Sequence, residues 1–416
     1  MNQPADTRWI RNYPDLGTGP LPTEPMISPE HFQIERDRVY RRSWLVVGRV
    51  EDLPKPGDWF VKDIASPKTS VLVMRGEDGV VRAFHNTCKH RGSKLSHGRC
   101  GGGVKGFVCP LHGWVYDTAG KLAFVPDENE FYQLDKPALG LTSIHCGVWE
   151  GFVFINLDRA PAISLDAFLG EIRDSYQGYF GGLEEAAHYT VTANVNWKLL
   201  FDVSVEAYHV FNIHPIHPVS DEAGKKVGEP PAKPEIKLPN IILHQLHRLV
   251  TVPGNPFRPQ SPVEQLMIKY GVVTSFTFPE PGAKPPDLPA GVNPGGLPAW
   301  SFDVLGLFPN TVLLTGRGIY VTIIMWPEAV DRTFFDIRVY MKPVKNMAER
   351  VCREAIIAMT RDVMREDFDH VEPQQSALSP DAISHIQLSD QELAVRHGYA
   401  VLQQIIERGF PGEVAA

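Results

Sequence analysis

The chain has 416 residues, 43% of them hydrophobic and 22% charged, and its 41 basic against 49 acidic side chains give a formal net charge of −8. This length predicts two domains with large buried interiors and excludes a single small binding module. The mild acidity gives no indication of binding to nucleic acid or to an anionic membrane.

The amino-terminal stretch MNQPADTRWIRNYPDL lacks the apolar core of a secretory signal, and no uninterrupted apolar run reaches membrane-spanning length. We therefore expect a cytoplasmic protein. Its five cysteines are an odd number in a long chain of this kind, so a disulfide framework is not expected. Metal ligation becomes the first question for any closely spaced cysteines.

Short β-type runs separated by turns fill the stretch from Trp44 to Asp158. They are SWLVVGRV, GDWFVKDI, SVLVMR, VVRAFHN and VWEGFVFINL. Runs of this kind predict an all-β domain of antiparallel hairpins, which we assign to residues 40–158.

A second domain is predicted over residues 159–416, with residues 1–39 packing on it. Apolar residues at helical spacing appear at its start, over Leu165 to Phe180 and over Trp197 to Asn212. Fifteen of the 36 prolines then fall between Gly228 and Trp300. The richest stretches there exclude continuous helix or central strand and predict a long excursion that covers a pocket.

Strands and helices alternate differently in the last quarter of the chain. TVLLTG, IYVTIIMW and TFFDIRVYMK predict antiparallel strands, and helices are expected over roughly residues 345–371 and 390–409. The second domain is therefore predicted to be α+β with an antiparallel sheet.

Two short segments each pair a cysteine with a histidine where a β run gives way to a turn: Cys88-Lys89-His90 and Cys109-Pro110-Leu111-His112. Four such ligands suit either tetrahedral zinc or a [2Fe–2S] cluster in which two histidines replace two cysteines on one iron. Zinc fingers usually keep like ligands together, whereas the two types alternate here, which favours the cluster. Ordinary burial as core thiols is the better interpretation for Cys100, Cys146 and Cys352.

With their flanks, Cys88-Lys89-His90-Arg91-Gly92 and Cys109-Pro110-Leu111-His112-Gly113-Trp114-x-Tyr116-Asp117 closely resemble the cluster motif of Rieske ring-hydroxylating oxygenases. Eighteen residues separate His90 from Cys109, slightly more than is usual in that family, and CGGGVKG indicates a lengthened loop. Ser93 and Leu111 stand where respiratory Rieske proteins carry two further cysteines, which points to the soluble oxygenase or ferredoxin branch. The resemblance implies that Cys88, His90, Cys109 and His112 bind the cluster.

The segment NWKLLFDVSVEAYHVFNIHP carries a second candidate site. Asp202, Glu206 and His209 fall at i, i+4 and i+7, so a helix would place them on one stripe. Ionisable side chains on an otherwise apolar helix cost free energy unless they bind something. The proline after His214 predicts that the helix ends there, so that His214 can reach the same metal as His209. The alternative is that Asp202 and Glu206 lie on a solvated helix face. His209, His214 and His217 would then have no metal-binding role.

Two histidines and one carboxylate on one face of Fe(II) leave open positions for O2 and substrate. Candidates for the carboxylate are Asp362, Asp367 and Asp369 in the late helix. At helical spacing the neighbours of Asp367 are apolar, whereas those of Asp369 are charged. Asp367 is therefore predicted to face inward, and Asp362 remains the reserve candidate.

These segments also resemble the catalytic domain of Rieske oxygenases. The resemblance covers most of residues 1–416 but is weak in the Pro-rich excursion. The matching residues are Asn196-Trp197-Lys198, Asp202, Glu206-Ala207-Tyr208-His209, His214, Glu366-Asp367, Glu372 and Gln375. The resemblance implies a helix-grip-like α+β domain that binds mononuclear Fe(II) through His209, His214 and Asp367.

In that family, electrons from NAD(P)H pass through a separate reductase, in some members with a ferredoxin, to the cluster. They continue to the iron of a neighbouring subunit through an acid that bridges two histidine ligands. His112, Glu206 and His209 match this path, and Asp202 shares the predicted stripe, so both acids are assigned catalytic roles. Glu206 resembles the glutamate of several trimeric monooxygenases and demethylases, which favours a homotrimer; a small β subunit is left open.

The reaction implied is insertion of oxygen from O2 into a small organic substrate by cis-dihydroxylation, monohydroxylation or oxidative demethylation. An aromatic or largely apolar substrate is expected, as in aromatic hydrocarbon catabolism, because apolar residues are predicted to form the pocket walls. The predicted wall residues, for which core packing is an equal explanation, are Phe201, Val205, Phe211, Ile213, Phe302, Leu305, Leu307 and Phe308. Two rival interpretations remain, a ferredoxin-like electron-transfer protein and a zinc-stabilised binding or scaffolding protein.

Overall fold

The structure is a computed structural model, which describes residues 9–206, 208–214, 240–253, 288–297 and 300–413. The chain divides into two compact units. One comprises Ile34–Phe168 with Gly409–Ala416, and the other Met1–Gln33 with Leu169–Arg408. Within the described residues, no helix combines the length and the hydrophobicity needed to cross a membrane.

The unit built on Ile34–Phe168 consists mainly of antiparallel β structure. Its strands are β1 (Trp44–Arg49), β2 (Trp59–Ile64), β3 (Thr69–Arg75), β4 (Val81–His85), β5 (Cys100–Gly101), β6 (Gly106–Val108), β7 (Val115–Asp117), β8 (Leu122–Phe124), β9 (Ser143–Trp149) and β10 (Phe152–Asn156). The larger sheet has the order β1-β10-β9-β4-β3-β2-β5, and β6-β7-β8 form a smaller sheet. All pairs are antiparallel, so the predicted all-β arrangement of hairpins is confirmed.

The core of this unit reaches the two loops that carry the cysteine–histidine pairs. Cys88 and Cys109 are buried in one apolar cluster with Trp114 and Tyr116, and strand β3 contributes Leu72 and Met74 to the same cluster. Burial of these side chains fixes the loops against the sheets.

The second unit is built on a seven-stranded antiparallel sheet. Its strands are β11 (Glu184–Ala193), β12 (Ile241–Leu243), β13 (Arg248–Pro253), β14 (Trp300–Leu307), β15 (Thr311–Gly316), β16 (Ile319–Ala329) and β17 (Arg332–Met341), and a two-residue pair joins Leu21–Pro22 to His385–Ile386. The sheet order is β11-β17-β16-β15-β14-β13-β12. The predicted α+β fold with an antiparallel sheet is therefore confirmed.

Helices of the described residues are short except for two near the carboxyl end. They are α1 (Glu24–Ile27), α2 (Pro29–Glu35), α3 (Leu165–Leu169), α4 (Ile172–Ser175), α5 (Trp197–Ser204), α6 (Val210–Ile213), α7 (Met347–Ala377) and α8 (Leu393–Arg408). The long helix α7 begins where the Asn346 side chain accepts the Glu349 N–H, an N-cap contact. Its buried residues, which include Ile356, Asp367 and Val371, form one stripe that packs toward α5 and β11.

Three predicted elements differ from the structure. The helix expected over Leu165 to Phe180 is broken at Gly170, which has a φ of +54°, and the one expected over Trp197 to Asn212 ends at Ser204. Within the Pro-rich excursion predicted between Gly228 and Trp300, residues 241–253 add two strands to the sheet. Residues 228–239, 254–287 and 298–299 of that excursion lie outside the described residues.

Candidate metal centres

Two loops of matched backbone geometry present the cysteine–histidine pairs. In the first, the N–H of Gly92 donates to the carbonyl of Cys88 at 3.0 Å, and in the second the N–H of Gly113 donates to the carbonyl of Cys109, also at 3.0 Å. Gly92 and Gly113 have φ values of +79° and +73°, which glycine adopts without steric cost. Each loop therefore turns back just after its histidine.

The loops meet with the two cysteines together and the two histidines together. The thiols of Cys88 and Cys109 lie within hydrogen-bonding reach of each other and are buried, while His90 Nδ1 lies 3.2 Å from His112 Nδ1 toward the surface. The His90 ring stacks on Trp114 with the ring centroids 4.9 Å apart. All four predicted cluster residues are thus brought to one place.

This donor arrangement fits a two-iron cluster better than a single zinc ion. Among the described residues, three or more His, Cys, Asp or Glu ligand atoms within 4.8 Å of one another occur only at His209, His214 and Asp367. The four Cys and His donors therefore span more space than one tetrahedral ion allows, while a cysteine end and a histidine end suit the two unlike irons of a Rieske cluster.

The protein also supplies hydrogen-bond donors to the sulfur atoms. Burial raises the pKa of the Cys88 thiol, and the hydroxyl of Tyr116 lies 3.4 Å from its Sγ. Burial acts in the same direction on Cys109, but the backbone N–H groups of Leu111 and His112 help to outweigh it and lower the pKa of that thiol. Donors of this kind stabilise thiolate ligands and influence the reduction potential of a cluster.

The second site begins where α5 ends. Oε2 of Glu206 accepts the backbone N–H of Tyr208 and that of His209, the latter at 3.2 Å, while Oε1 lies 2.5 Å from His209 Nδ1. A side chain that accepts nearby backbone N–H groups competes with continuation of a helix. The predicted single stripe of Asp202, Glu206 and His209 is therefore wrong.

One turn of helix separates the two candidate histidine ligands. His209 is the N-cap of α6 and His214 is its C-cap, with extended backbone angles at His214 (φ −100°, ψ 102°). Their ring centroids lie 5.2 Å apart. The proline that follows His214 disfavours further helix, which explains why the chain turns at this point.

Asp367 of α7 completes the group. Its Oδ1 lies 3.2 Å from His214 Nε2 and 3.6 Å from His209 Nε2, and Asp367 is 4% exposed. That oxygen has no hydrogen-bond partner in the described part of the chain, a costly state for a buried carboxylate. A cation held by two imidazoles and this oxygen accounts for it, and the set matches the facial arrangement of non-haem Fe(II).

The other two aspartates considered for this role face away. Asp362 is exposed and pairs with Arg361, and Asp369 is exposed and pairs with Arg365.

Each histidine is oriented by a carboxylate at the ring nitrogen opposite the site. Glu206 contacts His209 Nδ1, and Oε2 of Glu366 lies 2.8 Å from His214 Nδ1. This is how metal-binding imidazoles are usually held. The sequence indicated Glu366 only as part of a motif, because no local pattern reveals a contact between residues 152 positions apart.

Asp202 does not reach this site. It accepts a hydrogen bond from the Tyr399 hydroxyl at 2.9 Å and lines a separate small cavity together with Lys198 and Arg248. Burial raises the pKa of Asp202 to about 7, against the opposing influence of Arg248 and Tyr399. The geometry gives no support for the predicted catalytic role of Asp202.

A mainly apolar cavity of about 760 Å³, its mouth included, opens beside the three candidate ligands. The sheet lines it with Val250, Val252, Phe302, Val304, Leu314 and Ile323. Helix α7 lines it with Met359, Thr360, Val363 and Met364 beside Asp367. This size and character are typical of pockets for small organic molecules.

Only part of the predicted wall is found there. Val205 and Phe302 line the cavity, whereas Phe201, Ile213, Leu305, Leu307 and Phe308 do not, and the Phe211 side chain lies outside the described residues. Alternation along β14 explains two of the errors, because Leu305 and Leu307 point to the sheet face opposite Phe302.

Comparison with known proteins adds two family matches and several relatives. Residues 180–408 match the family described as ring hydroxylating alpha subunit (catalytic domain), and residues 43–142 match the Rieske [2Fe-2S] domain. The glycine betaine monooxygenase oxygenase subunit of Chromohalobacter salexigens is 34% identical over 203 residues, which are 48% of this chain and 44% of that protein. The chlorobenzene dioxygenase subunit alpha of Cupriavidus sp. is 35% identical over 45% of this chain and 43% of that protein. The chain thus spans less than half the length of these relatives.

Solved structures show the same fold at low identity. A quaternary ammonium Rieske monooxygenase has a TM-score of 0.71 at 20% identity and covers 94% of this chain and 95% of its own. Naphthalene 1,2-dioxygenase with bound indole has a TM-score of 0.67 at 22% identity and covers 94% of this chain and 93% of its own.

Proposed function

The chain belongs to the ring-hydroxylating oxygenase α subunits, and on that premise we propose that it is the terminal component of a Rieske oxygenase. The proposed reaction inserts oxygen from O2 into an aromatic or largely apolar small molecule, by ring dihydroxylation, hydroxylation or oxidative demethylation. The observation that carries the proposal is the convergence of His209, His214 and Asp367 at one edge of an apolar cavity.

The proposed division of labour follows the two candidate centres. Cys88, His90, Cys109 and His112 would hold the [2Fe–2S] cluster in a domain of residues 40–158. His209, His214 and Asp367 would hold Fe(II) in the domain of residues 159–416, with residues 1–39. When bound, the cluster supplies single electrons and the iron supplies O2 activation.

The remaining steps belong to this chain's own side chains. Glu206 fixes the ring of His209 and Glu366 fixes that of His214, so each imidazole keeps its Nε2 directed into the site. The apolar walls bind the substrate and exclude water from the space beside Asp367. In the proposed path Glu206 also accepts a hydrogen bond from a histidine ligand of a cluster, and it thereby bridges the two centres.

The cavity lining supports a neutral apolar substrate over a quaternary ammonium ion. Cations of that kind are usually held by several aromatic faces or by a free acid. In the described lining, Phe302 is the only aromatic ring besides the histidines, and the two carboxylates, Glu206 and Asp367, are directed at histidines.

We also propose the partners that this chemistry requires. These are a reductase that delivers electrons from NAD(P)H, with a ferredoxin in between as an option, and further copies of this chain in a homotrimer in the cytoplasm. A small β subunit remains an option as well. The quaternary ammonium Rieske monooxygenase of the same fold transfers electrons between subunits, which supports an oligomer for this chain.

Metal analysis tests the proposal against its two rivals. The purified protein should be reddish brown, contain about three irons and about two acid-labile sulfides per chain, and show a rhombic [2Fe–2S] signal by electron paramagnetic resonance after reduction. About two irons, with none outside the cluster, would favour a ferredoxin-like protein. A colourless protein with stoichiometric zinc would contradict the proposal.

A further inference from the structure

Thr360 is a polar residue in the lining of the apolar cavity. The residue is 4% exposed, lines the cavity, and its Oγ1 makes no hydrogen bond within the described residues. A threonine inside a helix commonly bonds the carbonyl four residues earlier, here that of Ile356, and Thr360 does not. An unmade bond at a buried hydroxyl costs free energy that a ligand can recover.

The other polar groups of the described lining are already engaged. The Ser204 hydroxyl donates to the carbonyl of Leu200 at 2.7 Å. Glu206 is held by backbone N–H groups and by His209, and Asp367 faces the histidines. Apart from the candidate iron ligands, Thr360 therefore carries the one side-chain hydroxyl of the described lining that makes no hydrogen bond.

The position of Thr360 sets where a ligand would be recognised. Thr360 and Asp367 lie on the same buried stripe of α7, seven residues apart, which is about 10 Å along a helix axis. Val363 and Met364 line the cavity between them. A molecule that reaches from the iron site to Thr360 meets only apolar side chains of α7 on the way.

On the basis of the proposed function, we propose that Thr360 determines substrate specificity by hydrogen bonding to one neutral polar substituent, a hydroxyl or a carbonyl. The substrate class is an apolar ring compound that carries this group at the end remote from the carbon that is oxidised. The apolar body occupies the valine- and methionine-lined space, and the hydroxyl of Thr360 fixes which end enters first. Recognition by a single buried hydroxyl discriminates strongly against analogues that lack the group.

Equilibrium dialysis of the anaerobic holoprotein with naphthalene and with 2-naphthol tests this role. Thr360→Val should weaken 2-naphthol binding about tenfold and leave naphthalene binding within about twofold of wild type. Thr360→Ser keeps the hydroxyl and should retain the preference for 2-naphthol. Thr322→Val is the matched control, because Thr322 is equally buried and also lacks a partner in the described part, but lies outside the cavity.

The outcomes separate the two proposals. If Thr360→Val changes both affinities equally or neither, the inference about Thr360 is wrong while the proposed oxygenase function stands. If wild-type protein binds neither probe, the apolar substrate class is wrong, and the role of Thr360 is overturned with it.

Discussion

At the scale of single residues, carboxylates lie on both sides of the two imidazoles at the candidate iron site. Asp367 provides an oxygen on the side of the two Nε2 atoms, while Glu206 and Glu366 contact the two Nδ1 atoms. Three acids around two imidazoles place excess negative charge in a partly buried space, and a divalent cation offsets that charge. The acids also differ in their contacts, because among these three, within the described residues, only Asp367 has a buried oxygen without a hydrogen-bond partner.

Replacing Asp367 tests that distinction. Asp367→Ala should remove mononuclear iron and oxygenation while leaving the cluster signal intact, because a facial site loses one of three protein ligands. Iron analysis together with electron paramagnetic resonance measures both. Asp362→Ala is the control, since Asp362 is exposed and pairs with the neighbouring Arg361. An active Asp367→Ala enzyme beside an inactive Asp362→Ala enzyme would move the ligand to Asp362.

We expect replacement of Asp202 to affect the stability of the fold instead of catalysis. Its pKa of about 7 in the folded state lies above the ordinary value of 3.8, so the folded chain binds a proton there more tightly than the unfolded chain does. The stability that comes from this proton is complete below about pH 4 and is lost as the pH rises toward 7. Asp202→Asn, which cannot ionise, does not lose it.

The measurement compares the melting temperatures of Asp202→Asn and wild type at pH 5 and pH 8. Relative to wild type, the variant should become more stable by about 1 kcal/mol for each unit by which the pH rises between 5 and 7, and its iron content should stay unchanged. A difference between the two proteins that does not depend on pH would show that Asp202 is ionised throughout.

At the scale of elements, strands and loop motifs are predictable where local chemistry decides the structure. The β runs of the cluster-bearing unit, the last three strands of the sheet and the helix that carries Asp367 were all predicted from periodicity. The helix breaks at Gly170 and after Ser204 were not predicted. The break after Ser204 depends on which backbone N–H groups the Glu206 side chain accepts. Strands Ile241–Leu243 and Arg248–Pro253 were hidden among the prolines around them.

The candidate site shows the same limit. His209, His214 and Asp367 follow from spacing, from a proline and from helical neighbours, whereas the contact of Glu366 with His214 depends on how α7 packs against α6. Glu372 and Gln375 explain part of that packing, since they accept the backbone N–H groups of Asn194 and Asn196 just before α5. Contacts between side chains far apart in sequence appear only once these elements are assembled.

At the scale of the whole molecule, electron flow requires a connection between the cluster and the iron. His112 is exposed, and the side chain of Glu206 keeps 10% of its surface accessible. A carboxylate between two metal-bound imidazoles orients both rings, and changes to such partners typically reduce activity about 10- to 100-fold. Under the proposed function the contact runs either within one chain or between two copies of it.

Mixed oligomers distinguish these two routes. We expect Glu206→Gln to keep cluster and iron but to slow cluster reoxidation with substrate and O2, and His112→Ala to be inactive. Chains with the two changes, co-expressed with different tags and purified as mixed oligomers, should regain part of the activity if electrons cross between subunits. If the path crosses between subunits, such oligomers would combine an intact His112 of one chain with an intact Glu206 of its neighbour. Mixed oligomers as inactive as the parents, beside active mixtures of wild type with either variant, would place the path within one chain. A Glu206→Gln enzyme with full iron content and an unchanged single-turnover rate would show instead that Glu206 is not the bridge.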